Sequence, residues 1–202
     1  MLMQVLGLIL ILGLSITIHE YAHGWMADKL GDPTPKTAGR LTLNPLAHFD
    51  ILGTIVLPLL LLLLPGLMPV GYAKPVPINP YHFKNPRKDI MWVGIAGPAI
   101  NLAAALMFLV LLKTGLPGLI KEFLAAGVTI NILLGFFNLL PIPPLDGSRI
   151  FASFLPHRLA YKYLKMELAG MFLIFFLFVI GAFRGFIDFT YSVILAASGV
   201  NV

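Results

Sequence analysis

The chain has 202 residues, of which 58% are hydrophobic and only 11% charged, and its mean hydropathy is +0.91. Soluble domains carry about a quarter charged residues, so this composition excludes one and reads as a polytopic protein of the lipid bilayer. The formal charge of +5 with no basic stripe interleaved with aromatics argues against nucleic acid as a partner and for charged loops beside a membrane, and the absence of cysteine excludes disulfides and thiolate metal sites.

The first apolar run, Leu2 to Lys29, is long enough to span a bilayer. It has no basic leader and no small-residue cleavage site, so it reads as a retained span rather than a removable signal. Met1 to Ile18 carries no charge, and then His19-Glu20-Tyr21-Ala22-His23 follows within the same helix. Residues four apart share a helix face, so His19 and His23 can present two imidazoles to one cation. Neutral imidazole suits zinc, and Glu20 has the place and chemistry of a general base. Ionisable groups inside a span are costly, which makes them functional candidates.

Gly31-Asp32-Pro33 ends this helix, and Thr34 to Asn44 reads as a loop. Ile51 to Pro65 is apolar but short, with Pro58 at its middle. Pro69, Pro75, Pro77, Pro80 and Pro86 then disfavour helix, and Val70 to Asn79 reads as extended chain. Asp89 to Leu112 is a second clear span, carrying Gly97-Pro98-Ala99-Ile100-Asn101, and Phe123 to Leu140 is a third. The third runs into Pro141-Ile142-Pro143-Pro144-Leu145-Asp146-Gly147, where proline stops regular helix. Arg149 to Lys165 is a basic connection, followed by two further apolar runs, Leu168 to Phe183 and the shorter Phe186 to Val200. The expected fold is all-α, polytopic and single-domain over 1–202. A three-helix metal-binding core occupies about 2–150, with a re-entrant or extended element, and two apolar helices occupy about 166–200.

A catalytic zinc usually takes three protein ligands and keeps a fourth position open. Asp28, Asp32, His48, Asp50, His82, Asp89, Glu122, Asp146, His157, Glu167 and Asp188 are available for the third. Most sit among loop charges. Asp146 stands apart because residues 123–145 carry no charge and end in a proline-rich break. Irregular backbone at membrane depth is tolerated where it is buried in protein or lines a wet cavity. Pro-x-x-Asp-Gly is also ordinary turn chemistry.

Taken together, His19-Glu20-Tyr21-Ala22-His23 and Asn138-Leu-Leu-Pro-Ile-Pro-Pro-Leu-Asp146-Gly147 resemble the paired motifs of the site-2 protease family, intramembrane zinc metalloproteases. Gly97-Pro98-x-x-Asn101 matches that family too. The resemblance runs from the first span through Arg149 and is to a compact form without a PDZ insertion. It implies one zinc ion held by His19, His23 and Asp146, with Glu20 as catalytic base. Asn138 matches the asparagine that opens the second motif. Asn101 and Asn138 are the residues expected to hold substrate backbone or the oxyanion, or else to bond helix to helix.

The ligands also constrain the topology. His19 and His23 lie late in one span, and Asp146 lies just after another, so these two helices must run in the same direction. If Ile51–Pro65 dips in and returns through the extended segment, all fourteen Lys and Arg except Lys113, Lys121 and Arg184 fall on one side. Extended chain advances about 3.3 Å per residue, which suffices for that return. The positive-inside rule then places the N-terminus outside and the metal nearer the cytoplasmic face of the cell membrane. The expected activity is hydrolysis of peptide bonds within transmembrane segments of single-span membrane proteins. The extended segment would pair with the unwound substrate as an added strand. The competing readings are a metal-binding transporter and a non-catalytic scaffold; the spans offer few polar residues for a transport path, and Glu20 argues against the scaffold.

Overall fold

A computed structural model of the chain describes residues 2–56, 73–114, 116 and 118–198. These residues form helices joined by turns and irregular segments, with no strand among them. Helix α1 is Leu2–Lys29, and a short α2, Thr34–Thr37, follows it. Helix α3 is Pro86–Leu112 and α4 is Gly118–Asn138. Short helices α5, Asp146–Ala152, and α6, His157–Leu164, occupy the basic connection. Helices α7, Glu167–Val179, and α8, Arg184–Ser198, complete the described chain.

The helix ends follow local chemistry. Helix α1 stops where Gly31 takes φ 104°, a left-handed conformation that glycine tolerates and other residues resist. Helix α3 starts three residues before the expected Asp89 because Pro86 suits the first helical position, where no N–H is needed. The Asp89 carboxylate then reaches back to accept from the Asn85 N–H at 2.9 Å. Helix α4 ends at Asn138, ahead of Pro141. The apolar run expected over Leu168–Phe183 breaks earlier. Gly181 turns the chain at φ 73°, and α7 and the first part of α8 meet at 70°. Ile51–Val56 is wound as a π-helix. The remainder of the expected Ile51–Pro65 dip, and Val70 to Tyr72 of the expected extended segment, lie outside the described residues. Residues 73–79 carry no regular secondary structure.

Three helices, α1 from Leu6 onward, α3 and α4, are long and apolar enough to cross a membrane. Their contacts set their directions. Along α1, Gly7 faces Phe123, Ser15 meets Asn131, and His19 and His23 meet Asp146, so α1 and α4 run parallel. Against α3 the order reverses: His23 meets Val93, and Ser15 meets Asn101. Helix α3 therefore runs opposite to both, as the ligand argument requires.

The layering is that of a membrane protein. Ser15, Thr17, Asn101 and Asn131 are buried between helices, whereas Ile9, Leu106 and Phe172 are each more than 60% exposed on the outside. Two apolar clusters bracket the polar centre. Leu112, Leu124 and Val128 pack where α3 hands over to α4, and Ala27, Phe83 and Val93 pack at the end of α1. At the far end of α4, Phe137 stacks against Phe178 and Phe183, and Phe136 against Phe186, at centroid distances of 5.5–5.7 Å. Such pairs contribute about 0.5–1.5 kcal/mol each beyond area and fasten the α7–α8 corner to the core.

The irregular stretch after α4 is covered by protein. Gly170 of α7 lies so close to Pro143 that a Cβ there would fall 1.6 Å from the Pro143 carbonyl oxygen. Tyr163 Oη donates to the Pro141 carbonyl at 2.6 Å. Gly147 also lies close to the chain behind it, where a Cβ would meet the Leu139 carbonyl oxygen at 2.2 Å. These contacts fix where Asp146 begins its helix.

Candidate metal centre

His19 and His23 lie one helical turn apart on the inner face of α1, both buried, with ring centroids 4.6 Å apart and planes nearly perpendicular. Helix α3 meets them with a stripe of residues four apart: Val93, Gly97 and Asn101. His23 Nδ1–H donates to the Val93 carbonyl at 2.7 Å, and His19 Nδ1 lies 2.5 Å from Asn101 Oδ1. Between these two contacts Gly97 presents bare backbone. A Cβ at Gly97 would stand 2.4 Å from His23 Nε2 and 2.6 Å from His19 Nε2. No side chain larger than hydrogen fits there without moving the imidazoles.

The third group arrives from the other end of the sequence. Asp146 is the first residue of α5 and is buried, and its Oδ2 lies 3.0 Å from both His19 Nε2 and His23 Nε2. The two Nε2 atoms are themselves 3.0 Å apart. The other carboxylate oxygen, Oδ1, has Arg149 Nη1 at 3.4 Å. His19, His23 and Asp146 form the group among the described residues whose ligand atoms converge.

The donor chemistry calls for a cation. A main-chain carbonyl only accepts, so His23 must carry its proton on Nδ1, and Asn101 Oδ1 makes the same demand on His19. Each neutral imidazole then turns a bare Nε2 lone pair toward the other and toward a carboxylate oxygen. Three acceptors at 3.0 Å repel one another unless a positive charge lies among them. Ligand atoms of a tetrahedral zinc, at about 2.0–2.1 Å from the metal, stand about 3.3 Å apart, so the triangle seen here needs little adjustment. Two imidazoles and one carboxylate are a donor set used by catalytic zinc.

Glu20 sits beside the histidines and is partly buried. Its Oε2 accepts the Val76 N–H at 2.8 Å, so the irregular segment lies directly on the carboxylate. Val76 is itself buried, and its Cγ1 would be 3.4 Å from a Cβ at Gly24. The Val76 side chain thus packs on α1 while its N–H is taken by Glu20. Farther along, buried Asp32 accepts from Asn79 N at 2.7 Å, Thr34 N at 3.0 Å, Thr34 Oγ1 at 2.5 Å and His82 Nδ1 at 2.8 Å, clamping residues 79–82 to the end of α1.

Of the two asparagines singled out in the sequence, Asn101 touches His19, whereas Asn138 donates to the Leu134 carbonyl of its own helix at 3.0 Å. His48 pairs with the Thr42 carbonyl and Asp50 accepts from Gly53 N–H; neither joins the ligand group. Sequence reasoning passed over Val93, Arg149 and Asn131. Val93 acts through a carbonyl every residue possesses. Arg149 reads as a loop cation, though its place one helical turn after Asp146 was a usable signal.

Residues 7–118 and 116–181 match peptidase family M50. The chain is 40% identical over 186 residues to the Bacillus subtilis protein named "Putative zinc metalloprotease YwhC", covering 85% of this chain and 80% of that one. It is 32% identical over 170 residues to Rip2 of Mycobacterium tuberculosis, which carries the same designation, covering 82% of this chain and 62% of that protein. It is 26% identical over 164 residues to zinc metalloprotease MJ0392 of Methanocaldococcus jannaschii, covering 78% of this chain and 36% of the other. No solved structure gives a significant match.

Proposed function

The chain belongs to peptidase family M50, the site-2 protease family, and is a zinc metalloprotease of the membrane; from that premise we propose that it hydrolyses peptide bonds within the transmembrane segments of single-span membrane proteins. The observation that carries this reading is the placing of His19, His23, Asp146 and Glu20 inside a bundle whose outer surface is apolar. A site so enclosed is reached from within the bilayer, by a substrate that is itself in the bilayer.

His19, His23 and Asp146 hold the zinc in this reading. When bound there, zinc supplies a Lewis acid that polarises the peptide carbonyl and makes a water acidic near neutral pH. Glu20 accepts the proton of that water as its oxygen bonds to the carbonyl carbon. As the carbon–nitrogen bond breaks, Glu20 delivers the proton to the departing amine. The Val76 N–H holds Oε2 and so orients the carboxylate for this exchange. A substrate helix must unwind before its carbonyl is accessible, and residues 73–79 border the site as the segment it would lie along. The charge distribution supports an outside N-terminus and a metal nearer the cytoplasmic face.

The test is co-expression of the chain with candidate single-span proteins, wild type beside Glu20→Gln. Wild type should yield a cleaved product. Glu20→Gln should lower the cleavage rate by about 10²- to 10⁴-fold with zinc content unchanged. Equal cleavage by both would remove Glu20 from its role.

A further inference from the structure

Below the metal centre the three core helices meet in a layer of amides. Asn101 of α3, Asn131 of α4 and Ser15 of α1 are all buried. Asn131 Nδ2 donates to the Gly127 carbonyl and to Ser15 Oγ, each at 2.9 Å. Asn131 Oδ1 accepts from Asn101 Nδ2 at 2.8 Å, and the same Nδ2 donates to the Ser15 carbonyl at 3.2 Å. Asn101 Oδ1 is then left facing His19 Nδ1. Both N–H bonds of each amide are used.

The polarity of this chain of contacts is forced. A main-chain carbonyl cannot donate, so the Gly127 carbonyl decides which end of the Asn131 amide is nitrogen. That choice leaves the Asn131 oxygen toward Asn101, which must answer with its nitrogen. The Ser15 carbonyl makes the same demand on Asn101 from a second direction. Turning either amide over would set oxygen against oxygen where no water can intervene. Fixed helix carbonyls thus dictate that Asn101 offers oxygen, not nitrogen, to the imidazole.

We propose that Asn131 is a positioning residue for the metal centre: it holds Asn101 with its oxygen toward His19 and so keeps the His19 proton on Nδ1, leaving Nε2 bare for zinc. Asn131 touches neither the ligand nor the metal and acts two contacts away. A partner one contact beyond a ligating histidine commonly changes metal affinity by about 10- to 100-fold when removed. The inference extends that influence one step further and rests on the reading of His19 as a zinc ligand.

The test uses the full chain in detergent micelles and measures zinc affinity by competition with a chelator, alongside the absorption spectrum of the Co²⁺ form. Asn131→Leu keeps the branched shape, though it is larger, and removes the acceptor together with both donors. It should weaken zinc binding by about 10-fold or more and alter the Co²⁺ spectrum. Asn131→Asp keeps an oxygen for Asn101 and, protonated in this buried place, an O–H for the Gly127 carbonyl, so it should bind zinc more tightly than Asn131→Leu. Wild-type affinity in Asn131→Leu, with unchanged helix content, would overturn the proposal. So would equal weakening by Leu and Asp, which marks a contact that only packs helices. A readout that needs no folded variant at this position comes from ¹⁵N-histidine spectra of the metal-free wild type, assigned against His19→Ala. The Nδ1–H tautomer at His19 is expected, and the Nε2–H tautomer would refute the relay. His19→Ala separates the two levels of the argument. If it keeps wild-type affinity the ligand reading itself fails, whereas its loss beside a normal Asn131→Leu removes the relay alone.

Discussion

Gly97→Ala adds one carbon at the point where α3 faces the two imidazoles. The added Cβ would lie 2.4 Å from His23 Nε2 and 2.6 Å from His19 Nε2, against ordinary contacts of 3.4 Å and more. The shortfall is about 1 Å on three ring atoms at once, since His19 Cε1 also stands 2.6 Å away, and in a packed core neither the helix nor the rings yield that distance freely. Without metal the rings can swing aside and relieve the strain; with metal they cannot. Overpacking of this kind costs about 1–3 kcal/mol. If that cost falls on the metal-bound form alone, zinc affinity drops by about 5- to 150-fold. Chelator competition on the purified chain reads this directly. Gly13→Ala is the control, because nothing lies within 4 Å of the position its Cβ would take. It should leave affinity unchanged. Wild-type zinc affinity in Gly97→Ala would refute the claim that bare backbone at this position defines the centre.

Two further predictions concern the carboxylates. Asp146→Asn keeps an oxygen donor but loses its charge, so bound zinc should fall, though less than in His19→Ala or His23→Ala; full occupancy in elemental analysis of Asp146→Asn and Asp146→Ala would remove Asp146 as third ligand. At Asp32, burial pushes the carboxyl pKa up, but hydrogen bonds from His82, Thr34 and the Asn79 N–H outweigh it and hold the pKa below the usual aspartate range. A depressed folded pKa stabilises fully above the ordinary value near 4 and is lost as pH falls through the folded value. Thermal unfolding between pH 6 and 3 should therefore show an acid-side loss of stability that Asp32→Asn largely lacks. The clamp on residues 79–82 should loosen with it.

The fold and the centre were legible to different depths. His19, Glu20 and His23 declare themselves, because their spacing alone makes a face and their charges stand out in an apolar span. Asp146 is recoverable for the same reason, as the first charge after 123–145. Helix directions follow from the need to bring these residues together. Helix rotation does not. In a bilayer the outer face is as apolar as the packed face, so the pattern that tells inside from outside in a soluble helix is faint in these spans. Hence nothing in the sequence says that Gly97 faces His23, that Asn131 meets Asn101, or that Val76 lies on Glu20. Asn138 is placed by its motif alone. Its place in a motif pointed to substrate or to a helix hydrogen bond, and the structure adds that its Nδ2 donates to the Leu134 carbonyl of the same helix.

The proposed ligands of this centre are drawn from places far apart in the chain, His19 and Asp146 standing 127 positions apart. During synthesis the two histidines leave the ribosome early, and for most of the remaining translation they are only half of a site. Two imidazoles without the carboxylate bind zinc weakly, and Glu20 has no activated water to serve. Destructive capacity is thus withheld from the nascent chain until α4 has inserted beside α1 and the proline-rich turn has brought Asp146 across. A metalloprotease of the membrane is built next to other newly inserted helices. Here the order of the sequence itself delays arming until the enclosing core is complete.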